Sequence, residues 1–223
     1  MQPVSDKNRM SPGEQVQKEN LSKIESSLGC KKMTDYLKVL PSALTPEICN
    51  ILENLAPRNP QAAYIYGAVL SNEPDDPAKC LRGAELIVQA DASKFTVPKV
   101  ALGKAHYRLG NSLLGGTDYE KNKRGAQHMI KAAETKYTPA FHRAAKLYEK
   151  GNYEVPQDLG EAYKWIVIAA AREKDPGQQS IIDAEMKEFQ REHGNDFVKE
   201  GMAKAKLQID SWNRVKTVPV LPA

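Results

Sequence analysis

No segment of this chain is apolar for long enough to cross a bilayer. The longest unbroken apolar run, Trp165 to Ala171, falls far short of the roughly 20 residues that a spanning helix needs. Cysteine is scarce: Cys30, Cys49 and Cys80 include no Cys-x-x-Cys pair, and no histidine is placed to complete a zinc set. They are read as small buried side chains, with one disulfide plus a free thiol as the alternative. Histidine is sparse too. None of His106, His128, His142 and His193 stands four residues from another and His-Glu-x-x-His is missing, so no helical metal pair is expected. Gly-x-Ser-x-Gly is also missing, which removes the serine-hydrolase elbow. Blocks of like charge are absent as well. Lys and Arg number 32 against 28 Asp and Glu, a net charge of +4, and the two signs are interspersed. That pattern argues against an electrostatic grip on nucleic acid. Finally, no stretch alternates for long enough to read as a strand.

The opening twenty residues lack an apolar h-region. They are polar and rich in Pro, Ser and Gly, like a tether left after a removed signal or lipoprotein segment, so a periplasmic location is expected over a cytoplasmic one. Residues 1–13 read as a flexible tail. Residues 14–59 read as N-terminal helices, with Val16, Leu21, Ile24 and Leu28 at helical spacing and a short helix from Met33 to Leu40. Thr45-Pro46-Glu47 is a helix start, with a hydroxyl to cap and proline at the first helical position. Ile48, Leu52 and Leu55 make the apolar stripe that follows.

From Pro60 the sequence repeats itself. PQAAYIYGAVLSN from Pro60, PKVALGKAHYRLG from Pro98 and PAFHRAAKLYEKG from Pro139 each begin at a proline and run as small-residue helices. The second and third close on Tyr107-x-x-Gly110 and Tyr148-x-x-Gly151, the first on Asn72, residues suited to a left-handed helix terminus. Second halves align at Ala84, Ala126 and Ala162, each followed three residues later by a large apolar side chain: Ile87, Met129, Trp165. The unit is helix–turn–helix–turn with a period of roughly 40 residues, and such pairs bury their apolar faces only by stacking. The expected fold is therefore all-α. Two further amphipathic stretches, within 176–214, read as C-terminal cap helices, with Phe197, Met202, Ala205, Ile209 and Trp212 on one side. Residues 215–223 read as an extended tail.

The third unit is the most specific. Ala140-x-x-x-Ala144-Ala145-x-x-Tyr148-x-x-Gly151, then Val155-Pro156-Gln157-Asp158, then Ala162-x-x-Trp165-x-x-x-Ala169-Ala170 resembles the SEL-one-like repeat family, relatives of the tetratricopeptide repeats. The resemblance covers about 60–175, with one strong unit and two degenerate ones. It implies a right-handed α/α solenoid of helix pairs with a C-terminal capping helix. It also implies a non-catalytic adaptor, without cofactor or metal, that binds another protein on its concave face. A recurrent bacterial use of the family is as an immunity protein against a secreted toxic effector, such as a type VI phospholipase. An envelope assembly factor or a signalling regulator would use the same surface, and a hydrolase on a helical scaffold is the remote alternative.

First helices line the concave side in such arrays, so the expected partner-binding residues are Tyr64, Arg108, His142, Arg143, Lys146 and Glu149. Arg and Tyr bring area together with directed hydrogen bonds. Gly110-Asn-Ser-Leu-Leu-Gly115-Gly116-Thr117 approaches a phosphate-binding loop, but Gly116 stands where its lysine would be and a helix precedes it. It reads as an inter-helix turn. Trp165 is expected in the core, and Trp212 in the core or at a contact.

Overall fold

Helix starts in this chain are written in short polar side chains. The computed structural model describes residues 45–214, apart from Pro74 and Lys94. The helices expected at 14–28 and 33–40, Cys30, and the tail 215–223 lie outside the described residues. Among the described residues the structure is all-helical, without a strand: α1 (Pro46–Leu55), α2 (Pro60–Leu70), α3 (Pro77–Ala92), α4 (Lys99–Leu113), α5 (Tyr119–Glu134), a 3-10 turn (Thr138–Ala140), α6 (Phe141–Lys150), α7 (Leu159–Arg172), α8 (Pro176–His193) and α9 (Val198–Arg214). Thr45, Asn59, Asp76, Asp118, Asp158 and Asp175 each cap the helix that follows, accepting a hydrogen bond from a first-turn N–H. This satisfies one of the donors that a helix start leaves orphaned. The chain divides into two compact units, one ending at Pro98 and the other beginning at Lys99.

In the first unit α2 packs along α3 through two glycines. A Cβ on Gly67 would lie 2.7 Å from the Gly83 carbonyl oxygen and 3.0 Å from Ile87. The Tyr64 ring lies 5.8 Å from that of Phe95. Inside the second unit α4 and α5 repeat this arrangement. A Cβ on Gly110 would meet Met129 at 2.9 Å and the Gly125 carbonyl oxygen at 3.2 Å, and the Tyr107 ring lies 5.3 Å from Tyr137. Gly67 thus corresponds to Gly110, Gly83 to Gly125, Tyr64 to Tyr107 and Phe95 to Tyr137. This register corrects the alignment on prolines. Pro60 and Pro98 are not equivalent, because α4 starts about a turn earlier in the unit than α2 does. Gly110 is likewise not a helix terminus: α4 runs on to Leu113, and Gly110 is there to let α5 approach. Only Gly151, with φ 65°, ends its helix in the left-handed conformation as expected.

The core of the second unit centres on α7. Gly160, Ala162, Tyr163, Lys164, Trp165, Ile166, Ile168 and Ala169 are all buried on this one helix, with the Lys164 ammonium paired to Glu161. α6, α8 and α9 each pack on it. Phe141 stacks on Trp165 at 5.6 Å, with Trp212 6.2 Å from Phe141. Trp212 is therefore a core residue, 6% exposed, with the Arg172 guanidinium 4.9 Å from its ring centroid. Trp165 Nε1 is buried without a hydrogen-bond partner among the described residues. α9 approaches α7 where Gly201 meets the Gly160 carbonyl, 2.9 Å from a built Cβ. Phe197 and Ala205 are buried with Trp212, but Met202 is 51% exposed and does not share their face.

Candidate functional site

α6 has one face committed to the core and one left over. Phe141, Ala144, Ala145 and Leu147 are buried, as small and large apolar residues at helical spacing require. Their opposite carries Arg143, Lys146 and Lys150, all exposed. The i, i+3, i+7 spacing aligns these three cations in one row.

Beside the row, α8 runs parallel to α6, and two His–Glu contacts set the register. His142 Nδ1 donates to Glu185 at 2.8 Å, and His193 Nε2 meets Glu149 Oε1 at 3.0 Å. The two helices carry the pair in opposite order: His then Glu along α6, Glu then His along α8. A parallel alignment in this register satisfies both pairs, and a slip by one turn satisfies neither. The hydrogen bond from His142 holds the Glu185 carboxyl below its usual range against the effect of burial, and the Lys146 charge adds to the lowering.

The six expected binding residues are thus divided. Arg143 and Lys146 are exposed, as the sequence suggested. His142 and Glu149 are partly covered by α8, each already holding a partner. Arg108 is half-buried on α4; burial and then Tyr107 push the Tyr137 phenol up, and the Arg108 charge offsets only part of that. Tyr64 is a correction: it is 2% exposed, belongs to the first unit, and packs against Phe95 with the rings tilted by 36°. The equivalence of Tyr64 to half-buried Tyr107 shows why. The tyrosine of Tyr-x-x-Gly is a packing residue that braces the helix pair.

Three groups were missed from sequence. Glu185, Glu192 and His193 sit on α8, which was read as cap only. The mirrored His/Glu order on α6 and α8 is the sequence signal that would have found two of them. Ligand atoms of Glu149, Glu192 and His193 lie within 4.8 Å of one another.

Elsewhere in the second unit, His106 and His128 come together although far apart in sequence. Their Nδ1 atoms are 2.8 Å apart, and His106 is 5% exposed. Nothing in the sequence marks the two as neighbours. The turn after Leu113 binds its own chain: Asn122 Oδ1 accepts from Gly115 N–H at 2.9 Å, and its amide donates to Gly116 O at 2.7 Å. Asn122 thus takes up the Gly115 N–H, one of the donors a phosphate would need. At the start of α7, Lys204 sits among Glu200 at 2.8 Å, Asp158 at 3.1 Å and Glu161 at 3.7 Å. Burial would lower its pKa, but the carboxylates outweigh it and push it up. Cys49 and Cys80 are free thiols, partly rather than fully buried.

The α6 face can therefore offer directed positive charge to a partner, with flanking carboxylates and imidazoles held in register by α8. Neither a family model, nor a curated protein, nor a solved structure matches this chain, so what the face does is read from its own residues.

Proposed function

We propose that this protein is a non-catalytic interaction scaffold whose α6 face docks an acidic surface of a partner protein. The observation that carries this reading is the exposed row Arg143, Lys146 and Lys150 on a helix whose other side is locked in the core. A rigid helix holds such cations at fixed spacing, so a partner with carboxylates at matching spacing gains orientation as well as attraction.

The repeated packing supports the scaffold half of the reading. Gly67 with Gly83 and Gly110 with Gly125 bring two helix pairs together in the same way. This favours repeated units of an α/α solenoid of the SEL-one-like kind, built to present first-helix side chains. On that reading the partner is a toxic effector whose activity is blocked by occlusion, the use suggested by the family resemblance.

The test is charge reversal on the row. Arg143→Glu with Lys146→Glu leaves every core contact in place. The partner recovered with wild-type protein from the native source is expected to bind the double variant at least about tenfold more weakly, and wild-type binding is expected to weaken with added salt. Equal affinity of the two proteins for that partner would remove α6 as the docking face.

A further inference from the structure

The C-terminal ends of α6 and α8 meet at a group of side chains that the scaffold reading does not use. Because the two helices are parallel, both present the negative ends of their dipoles at the same place. Glu149 is in the last turn of α6, and Glu192 and His193 are in the last turn of α8. Two carboxylates at two helix C-termini are in unfavourable positions, since each faces carbonyl oxygens of like partial charge. Lys150 and Arg191 offset part of this, but Arg191 is engaged by Glu188. Glu192 enters no salt bridge among the described residues.

The geometry of the three side chains suits a cation. His193 is held on two sides, 4.7 Å from the Phe189 ring and 6.5 Å from that of Phe197. Its Nε2 points at Glu149 Oε1, 3.0 Å away. The Glu192 carboxylate is exposed and free to turn, within 4.8 Å of the other two ligand atoms. Ligand atoms around tetrahedral zinc lie about 2.0–2.2 Å from the metal, hence roughly 3.3–3.6 Å from one another. Closing the set takes a turn of Glu192 toward the other two and a slight opening of the 3.0 Å His193–Glu149 contact.

We propose that Glu149, Glu192 and His193 bind a divalent transition-metal cation of the zinc class, with water completing the coordination, and so clamp the ends of α6 and α8. The imidazole nitrogen selects zinc, cobalt or nickel over magnesium or calcium.

The full chain is titrated with Zn²⁺ and with Co²⁺ by calorimetry at pH 7.5, and melting is followed with each ion and with Mg²⁺. One-to-one binding is expected, with a higher melting temperature in Zn²⁺ than in Mg²⁺ and visible absorption from bound Co²⁺. Glu192→Gln removes one ligand from an exposed position without touching the core. It should weaken Zn²⁺ binding about tenfold or more, while its melting temperature without metal stays close to wild type. His193→Gln should abolish the cobalt spectrum. Absence of saturable Zn²⁺ binding, or equal binding by wild type and Glu192→Gln, overturns the site and leaves only the His193–Glu149 hydrogen bond.

Discussion

His106 on α4 and His128 on α5 point their Nδ1 atoms at each other across 2.8 Å. At that distance one ring donates and the other accepts, so the accepting ring must be neutral and the contact is lost once both rings are protonated. Burial is the main reason His106 resists protonation, with the charge of His128 and then Lys131 adding to it, and its pKa falls to about 4. His128 is lowered by burial, then by Lys131 and Arg124. The charged groups facing the pair from α5 are thus both cationic, which makes a second proton still less welcome.

The linkage has a definite sign. Both rings have folded pKa values below the ordinary 6.5, so the unfolded chain takes up protons first on acidification. Stability is complete above about pH 6.5 and declines as pH falls toward 4, by roughly 3 kcal/mol in order of magnitude for His106 alone. Urea midpoints at pH 7.5 and pH 4.5 measure it. His106→Gln should flatten the dependence, and an unchanged slope would show that the pair does not titrate in this window.

Close helix contact can be tested at one atom. On Gly83 an added Cβ would lie 2.5 Å from the Gly67 carbonyl oxygen and 2.8 Å from the Ser71 backbone nitrogen. Backbone cannot move aside as a side chain can. Alanine gains about 1 kcal/mol of helix propensity but must overpack, so Gly83→Ala should destabilise by about 2 kcal/mol net. Gly110→Ala should lose less, since its nearest neighbour is the flexible end of Met129 at 2.9 Å. Gly116→Ala, with nothing within 4 Å, should be close to neutral. Denaturant unfolding of the three variants ranks them.

Tyr64 separates a core role from a surface one. Truncating a buried aromatic costs about 3 kcal/mol or more, whereas Tyr119, 52% exposed, should tolerate Tyr119→Ala to within about 0.5 kcal/mol. If Tyr64→Ala proved as harmless as Tyr119→Ala, the burial of Tyr64 would be wrong.

Asp158 has two tasks that substitution can part. It caps α7 through Glu161 N–H at 2.8 Å and accepts from Lys204 at 3.1 Å. Burial raises its pKa, but these hydrogen bonds outweigh burial and hold it below the usual value. Asp158→Asn keeps a capping oxygen and should cost less than about 1 kcal/mol. Asp158→Ala removes cap and charge together and should cost about 1–2 kcal/mol. Thermal unfolding at neutral pH compares them.

What the sequence determined by itself is local. Thr45 marks a helix start because a capping oxygen acts within three residues of itself, and in the structure Asn59, Asp76 and Asp158 cap by the same local rule. Gly151 marks a helix end because a left-handed residue without a Cβ costs little. The alanines at 84, 126 and 162, with large apolar residues three positions on, announced the inward face of each second helix, and Trp165 with them. Those signals need no knowledge of the neighbours.

Everything that depended on which helix lies beside which was decided by tertiary packing. Gly110 and Gly151 occupy the same motif, yet one permits a close helix crossing and the other ends a helix. Tyr64 reads as a first-helix surface residue until Phe95 arrives to cover it. His106 and His128 look unrelated in the sequence and share one proton in the fold. His142 and Glu149 read as free partner-binding groups, but α8 supplies Glu185 and His193 opposite them. Burial and pairing are properties of two surfaces at once, and a single strand of text holds only one of them at a time.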